Sequence, residues 1–240
     1  MAASRTFSPF WVGSLGRRIL AAIRAAEVLF VHIPKTGGTS ISRKLYRRNL
    51  PHYTAPFWYS TFGRPVSDLP SFSVVRHPVE RMVSAYKMAR AGGTDIIAYS
   101  RYWQGRLRGL ETFDAFVDHV FANRAQLAVL PLDLRTQAEF ILDGDGAVMV
   151  DRLYSLNGRR GMPAELGRRL AIHPIPHLNA SPPHPLDVTT ATRRKIEEIY
   201  VTDFEIYHYL EAGAAVADIR GRRFPGPLGS SPARLEALEA

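Results

Sequence analysis

Val28-Leu29-Phe30-Val31-His32-Ile33-Pro34-Lys35-Thr36-Gly37-Gly38-Thr39-Ser40 reads as a buried strand, a glycine-containing turn and the first turn of a helix. Val28 to Val31 are bulky and aliphatic or aromatic without polar alternation, as a strand covered on both faces requires. Pro34 has no N–H for a ladder and ends the strand. Gly37 and Gly38 permit close approaches that a Cβ would block, and Thr39 or Ser40 is expected to cap the helix. A turn of this kind aims backbone N–H groups and a positive helix end at one point, which suits an anion. Lys35 adds a full charge; Thr36, Thr39 and Ser40 add hydroxyl donors.

Phe72-Ser73-Val74-Val75-Arg76-His77-Pro78-Val79-Glu80-Arg81-Met82-Val83-Ser84-Ala85-Tyr86 repeats the strand-to-helix plan. Phe72 to Val75 suit a short buried strand, and Pro78 suits the first helical position. Val79, Met82, Val83 and Tyr86 share one helical face, which is expected to pack inward. Arg76 follows the strand at its carboxyl end, where ligands of open α/β sheets bind. Ser84 lies two turns into the helix with its side chain tilted back toward the amino end. An arginine fork and a hydroxyl together suit a phosphate. Arg81 is expected on the surface or in a salt bridge, His77 at the helix cap, Tyr86 and His32 in the core. Two such segments make two candidate anion sites.

The lysine of a Walker A loop follows the last glycine, whereas Lys35 precedes both, so that pattern does not match. Pro34-Lys35-Thr36-Gly37-Gly38-Thr39-Ser40 instead resembles the 5′-phosphosulfate loop of sulfotransferases that use 3′-phosphoadenylyl sulfate (PAPS). The longer form from Val31 is most similar to family 2 sulfotransferases, the group resembling heparan sulfate 2-O-sulfotransferase. Arg76, Pro78, Arg81, Ser84 and Tyr86 match the family's Arg-x-Pro-x-x-Arg-x-x-Ser-x-Tyr pattern. Pro176-His177-Leu178-Asn179-Ala180-Ser181 and Tyr200-x-x-Asp203-x-x-x-Tyr207-x-Tyr209 resemble segments found later in its members. The resemblance implies an α/β, P-loop-NTPase-like three-layer α/β/α fold with a central, mainly parallel sheet and a helix-rich C-terminal half.

It also implies roles. Lys35 would neutralise the oxygen leaving the sulfuryl group. Thr36, Gly37, Gly38, Thr39 and Ser40 would hold the 5′-phosphate, and Arg76 with Ser84 the 3′-phosphate. His177 and Asn179 would meet substrate. The family's histidine-containing segment before the second motif has no counterpart in Pro56-Phe57-Trp58-Tyr59-Ser60-Thr61-Phe62-Gly63, so His52 is the candidate general base. Asn157 stands where relatives often carry glutamate. Phe57, Trp58 and Tyr59 suit either a sugar-stacking surface or an apolar pocket.

Composition bounds these expectations. The 240 residues, 46% of them hydrophobic, suffice for one substantial core. The division expected is a basic N-terminal segment at 1–26, the sulfotransferase domain at 27–212 and a flexible tail at 213–240. Absence of cysteine excludes disulfides, thiolate metal sites and cysteine nucleophiles. The histidines form no ligand cluster, and no metal is expected. A formal charge of +9 calls for an anionic partner. With four lysines against twenty-seven arginines, scattered rather than in one tract, and no nucleic-acid motif, the expected partners are PAPS or its product PAP and a glycan or other hydroxyl acceptor, not nucleic acid. No run of eighteen apolar residues and no signal-peptide pattern occur, so the expected location is cytoplasmic. The basic amphipathic run Arg17 to Arg24 is expected to cap the domain, with peripheral membrane contact as its alternative.

Further along, Thr112 to Asn123 predicts a helix, Ala147 to Val150 a strand, Pro163 to Leu170 a short helix, and Thr190 to Glu211 one long helix. Pro174 to Pro185 predicts an extended loop. Two alternative functions follow from the same residues. One is an ATP- and magnesium-dependent kinase of the P-loop type, with Asp151 as the sole candidate metal aspartate. The other is a non-catalytic nucleotide- or polyanion-binding relative.

Overall fold

The computed structural model describes residues 13–91, 106–156, 187–212 and 219–225. Its sheet has the order β1 (Leu29–Val31), β2 (Ser71–Val75), β3 (Arg152–Ser155), parallel throughout. Phe30 stands opposite Phe72, and Ser73 opposite Leu153. Every residue of β1 and β2 is buried, which explains why both read as unbroken runs rather than alternating ones. Tyr46 closes the free edge of β1: its hydroxyl accepts from Phe30 N–H and donates to the Val28 carbonyl, each at 2.9 Å.

Helices bury both faces. Along the β1 side run α1 (Ser14–Ala26), α2 (Gly38–Tyr46), α3 (Ala55–Phe62) and α4 (Arg64–Ser67). Ile19 and Ile23 of α1, Ile41 of α2 and Trp58 of α3 enter one core with the strands. A second core joins α5 (Pro78–Arg90), α6 (Phe113–Ala122) and α8 (Thr190–Ile199) through Met82, Tyr86, Phe116, Val120 and Ile196. Between them sit the short α7 (Ala138–Ile141) and α9 (Val201–Glu211). The chain is therefore α/β with a parallel sheet covered by helices, as expected. No described helix is long and apolar enough to cross a membrane.

Several local expectations change. The predicted strand at 147–150 is displaced: Ala147 and Val148 make isolated antiparallel bridges to Arg223 and Leu142, and the parallel strand begins at Arg152. Thr190 to Glu211 is two helices, broken where Tyr200 adopts φ −119° and ψ 36°. α1 turns Ile19 and Ile23 inward and leaves Arg17, Arg18 and Arg24 exposed, so it caps the core with its apolar face. Within the stretch read as a tail, residues 219–225 pack onto this core. Ile219 is 2% exposed, and Val148 N–H donates to the Arg222 carbonyl while Gly221 N–H donates to that of Val148. The predicted helix at 163–170, the loop at 174–185, and Asn157, His177 and Asn179 lie outside the described residues.

Candidate functional site

Parallel pairing brings the carboxyl ends of β1 and β2 side by side, so the two sequence motifs meet there. α2 begins at Gly38, directly behind Gly37, whose φ of +76° lies in the left-handed region. Thr39 and Ser40 thus occupy the first helical turn, and no side chain caps α2, contrary to the expected cap. The first-turn N–H groups remain outside the helix's own bonding, as at any helix start.

Both glycines are explained by their neighbours. A Cβ on Gly38 would stand 2.1 Å from His32 Cδ2, and one on Gly37 would stand 3.1 Å from Leu156 Cδ1 beyond β3. The loop is therefore a cradle whose floor is an imidazole. Lys35 also has positive φ, +69°, a conformation costing a non-glycine residue about 1–2 kcal/mol. This strained residue turns its carbonyl to within 3.5 Å of Arg76 Nη1. Its ammonium lies 3.2 Å from Met88 Sδ on α5. Burial lowers the Lys35 ammonium below its ordinary value; the Asp133 carboxylate opposes this, and the Arg76 and Arg81 guanidiniums add to it.

Arg76 is half-buried and ion-paired with Glu80 one helical turn on, at 3.3 Å. Ser84 is buried on α5. Arg81 departs from expectation: it is 2% exposed and makes no salt bridge among the described residues. Its Nε donates to the Pro34 carbonyl at 3.1 Å and its Nη1 to the Arg135 carbonyl at 2.7 Å. A buried guanidinium so placed ties the start of the loop to a segment far along the chain. Its own motif supplied the signal; charge alone made it look superficial.

The histidines form a pair. His32, buried as expected, has Nδ1 3.4 Å from the Leu50 carbonyl, and His52 Nδ1 lies 3.0 Å from the His32 carbonyl. Their rings are 4.1 Å apart. A carbonyl accepts only, so Nδ1 of His52 carries the hydrogen and Nε2 keeps its lone pair. Burial lowers the His52 imidazole below its ordinary value; the bond to His32 opposes this, and Arg81 and Lys35 reinforce it. The base candidate thus stands within electrostatic reach of the lysine.

Other expected roles hold only in part. His77 precedes α5 without a side-chain cap and packs its ring edge-on against Phe204 and Tyr207. Trp58 is fully buried and offers no sugar-stacking face, whereas half-buried Tyr59 bonds through its hydroxyl to Ser71 and the Met149 carbonyl. Asp151 lies just before β3 begins, at the amino end of the sheet. There it accepts from Ser71 N–H and Oγ, both at 2.7 Å, and from Arg220. It faces away from the anion loop and cannot serve as that site's metal aspartate.

Residues 23–126 match the model of the sulfotransferase family. No curated protein and no solved structure matches the chain.

Proposed function

We propose that this chain, whose residues 23–126 match the sulfotransferase family, moves a sulfuryl group from PAPS to a hydroxyl, with carbohydrate as the acceptor class. The observation that carries the reading is the adjacency of the 34–40 loop and Arg76 at neighbouring strand ends, Arg76 Nη1 standing 3.5 Å from the Lys35 carbonyl. Two anion grips side by side suit a nucleotide with phosphate at its 5′ and 3′ positions. The glycine cradle against His32 and a donor set of ammonium, guanidinium, hydroxyls and helix-start N–H groups fit that co-substrate.

When bound, PAPS supplies the sulfuryl group; this chain's residues do the rest by positioning and electrostatics. Lys35 places positive charge where the departing nucleotide oxygen becomes anionic. The Gly37–Ser40 turn holds the 5′-phosphate with backbone donors and the Thr39 and Ser40 hydroxyls. Arg76 and Ser84 hold the 3′-phosphate. His52, neutral and with its lone pair on Nε2, accepts the acceptor hydroxyl's proton. His177 and Asn179 are proposed to contact the acceptor. The kinase alternative loses its only candidate aspartate to the far end of the sheet.

Calorimetry with adenosine 3′,5′-bisphosphate, AMP and ATP tests the reading. Micromolar affinity that depends on the 3′-phosphate is the expected result. A preference for ATP with magnesium, or no binding of the bisphosphate, would overturn it.

A further inference from the structure

β2 stops at Val75, yet the backbone of the next residue is not left to solvent. Arg76 N–H donates to Gln137 Oε1, and Gln137 Nε2 donates back to the Arg76 carbonyl, both at 2.9 Å. A side-chain amide thus continues the ladder by one rung at the residue that carries the 3′-phosphate grip. Only an amide of this length can accept and donate at once; glutamate lacks the donor and methionine lacks both.

The rung is itself held. Gln137 is 1% exposed, and its N–H donates to Asp203 Oδ2 at 2.8 Å while Ala138 N–H donates to Oδ1 at 2.9 Å. One buried carboxylate therefore caps α7 from α9. Tyr200 donates its hydroxyl to the Leu134 carbonyl at 2.6 Å. On the other side, Arg81 joins the Arg135 carbonyl to that of Pro34. The 134–138 turn is thereby fastened to α9 below and to both anion loops above. A residue so confined, with its amide bonded to both backbone groups of Arg76 and also to the Asp203 carboxylate, sets where the Arg76 Cα sits.

We infer that Gln137 is a positioning residue of the nucleotide site, fixing the Arg76 guanidinium for the 3′-phosphate without touching the ligand. The inference rests on the PAPS reading above and adds a residue that lies beyond the matched region and outside every motif in the sequence.

The test is the ratio of affinities for adenosine 3′,5′-bisphosphate and AMP, measured by calorimetry on the full chain. Gln137→Met fills the same space without either bond. It is expected to weaken the bisphosphate about tenfold or more and AMP by less than about twofold, since a small misplacement of a gripping group carries a large penalty. Gln137→Glu keeps the acceptor for Arg76 N–H and is expected to fall between Gln137→Met and wild type. A loss of stability alone would lower the melting temperature and the active fraction but leave the ratio unchanged. An unchanged ratio in folded Gln137→Met overturns the inference. If that variant does not fold, an unchanged ratio in Gln137→Glu does so. Equal affinities in the wild-type chain would overturn the PAPS reading itself, and this inference with it.

Discussion

Gly38 and His32 are in contact so close that the glycine's missing Cβ is the space the imidazole occupies: the built atom would sit 2.1 Å from Cδ2 and 2.4 Å from Nε2. The ring cannot retreat freely. Its other nitrogen is bonded to the Leu50 carbonyl, and His52 lies across it at a ring separation of 4.1 Å.

Gly38→Ala is therefore expected to destabilise the fold by about 1–3 kcal/mol, the usual range for overpacking a filled core. It should also weaken nucleotide binding, since the loop or the histidine pair must shift. Denaturant unfolding and calorimetry on the same variant check this. Wild-type stability together with wild-type affinity would mean that the cradle tolerates a methyl group and that the glycine is there for another reason.

Lys35→Ala should lower turnover by about 100- to 1000-fold, the usual effect of removing one group that stabilises developing negative charge. The fold should survive, because the Lys35 ammonium makes no salt bridge among the described residues and donates to the Met88 sulfur. Sulfate transfer to a hydroxyl acceptor, with circular dichroism as the control, is the measurement. Retention of more than a tenth of wild-type turnover would remove Lys35 from the proposed mechanism.

Arg81→Met keeps the length and apolar stem but deletes two charge-assisted bonds, one to the buried Pro34 carbonyl and one to the half-buried Arg135 carbonyl. The expected cost is about 2–4 kcal/mol, because each orphaned acceptor carries its own desolvation penalty. Urea unfolding reads it directly. A loss under about 0.5 kcal/mol would show that water or a neighbouring donor replaces the guanidinium.

Acid should act through the histidine pair. Burial holds His32 well below its ordinary value, with repulsion from His52 adding to it and the bond to Leu50 opposing. The folded state then binds fewer protons than the unfolded chain, whose histidines charge near 6.5. Stability from these groups is complete above that pH and is lost as pH falls through the folded-state values, by up to about 1.4 kcal/mol per unit for each imidazole. Asp203 has the opposite sign: burial raises its carboxyl, with Arg81 and the N–H bonds opposing, so its contribution is lost as pH rises instead. Proton–carbon NMR separates the groups. The His32 ring should remain neutral well below pH 6.5, and its titration at 6.5 or above would contradict the burial argument.

The two loops were readable because their information is local. Gly37 and Gly38 announce a cradle by their spacing, and Arg76 announces its place by following a hydrophobic run. What the sequence concealed depends on distant partners. Gln137 meets Arg76 across 61 positions, and no periodicity marks such a residue. Arg81 looked superficial because charge normally is; two backbone carbonyls reverse that.

Strand and helix boundaries failed for other reasons. Ala147 to Val150 is the more hydrophobic run, yet its backbone is engaged antiparallel with residues 142 and 223, leaving β2 to pair from Arg152 onward. The break at Tyr200 is invisible because apolar residues continue at helical spacing on both sides of it. Residues 219–225 hold three arginines, a glycine and a proline, the composition of a tail. Ile219 and Phe224 nevertheless find the core, and Arg220 finds Asp151.

The Asp203 carboxylate that caps α7 follows Gln137 by 66 positions and lies in a helix near the end of the described chain. During synthesis the ribosome delivers the anion loop and Arg76 first, and the strut beneath them long afterward. A nascent chain holding both motifs has the groups proposed to grip the nucleotide but lacks Gln137 and Asp203. The Asp203 bonds that hold Gln137 therefore form only after residue 203 has been made, long after both anion loops.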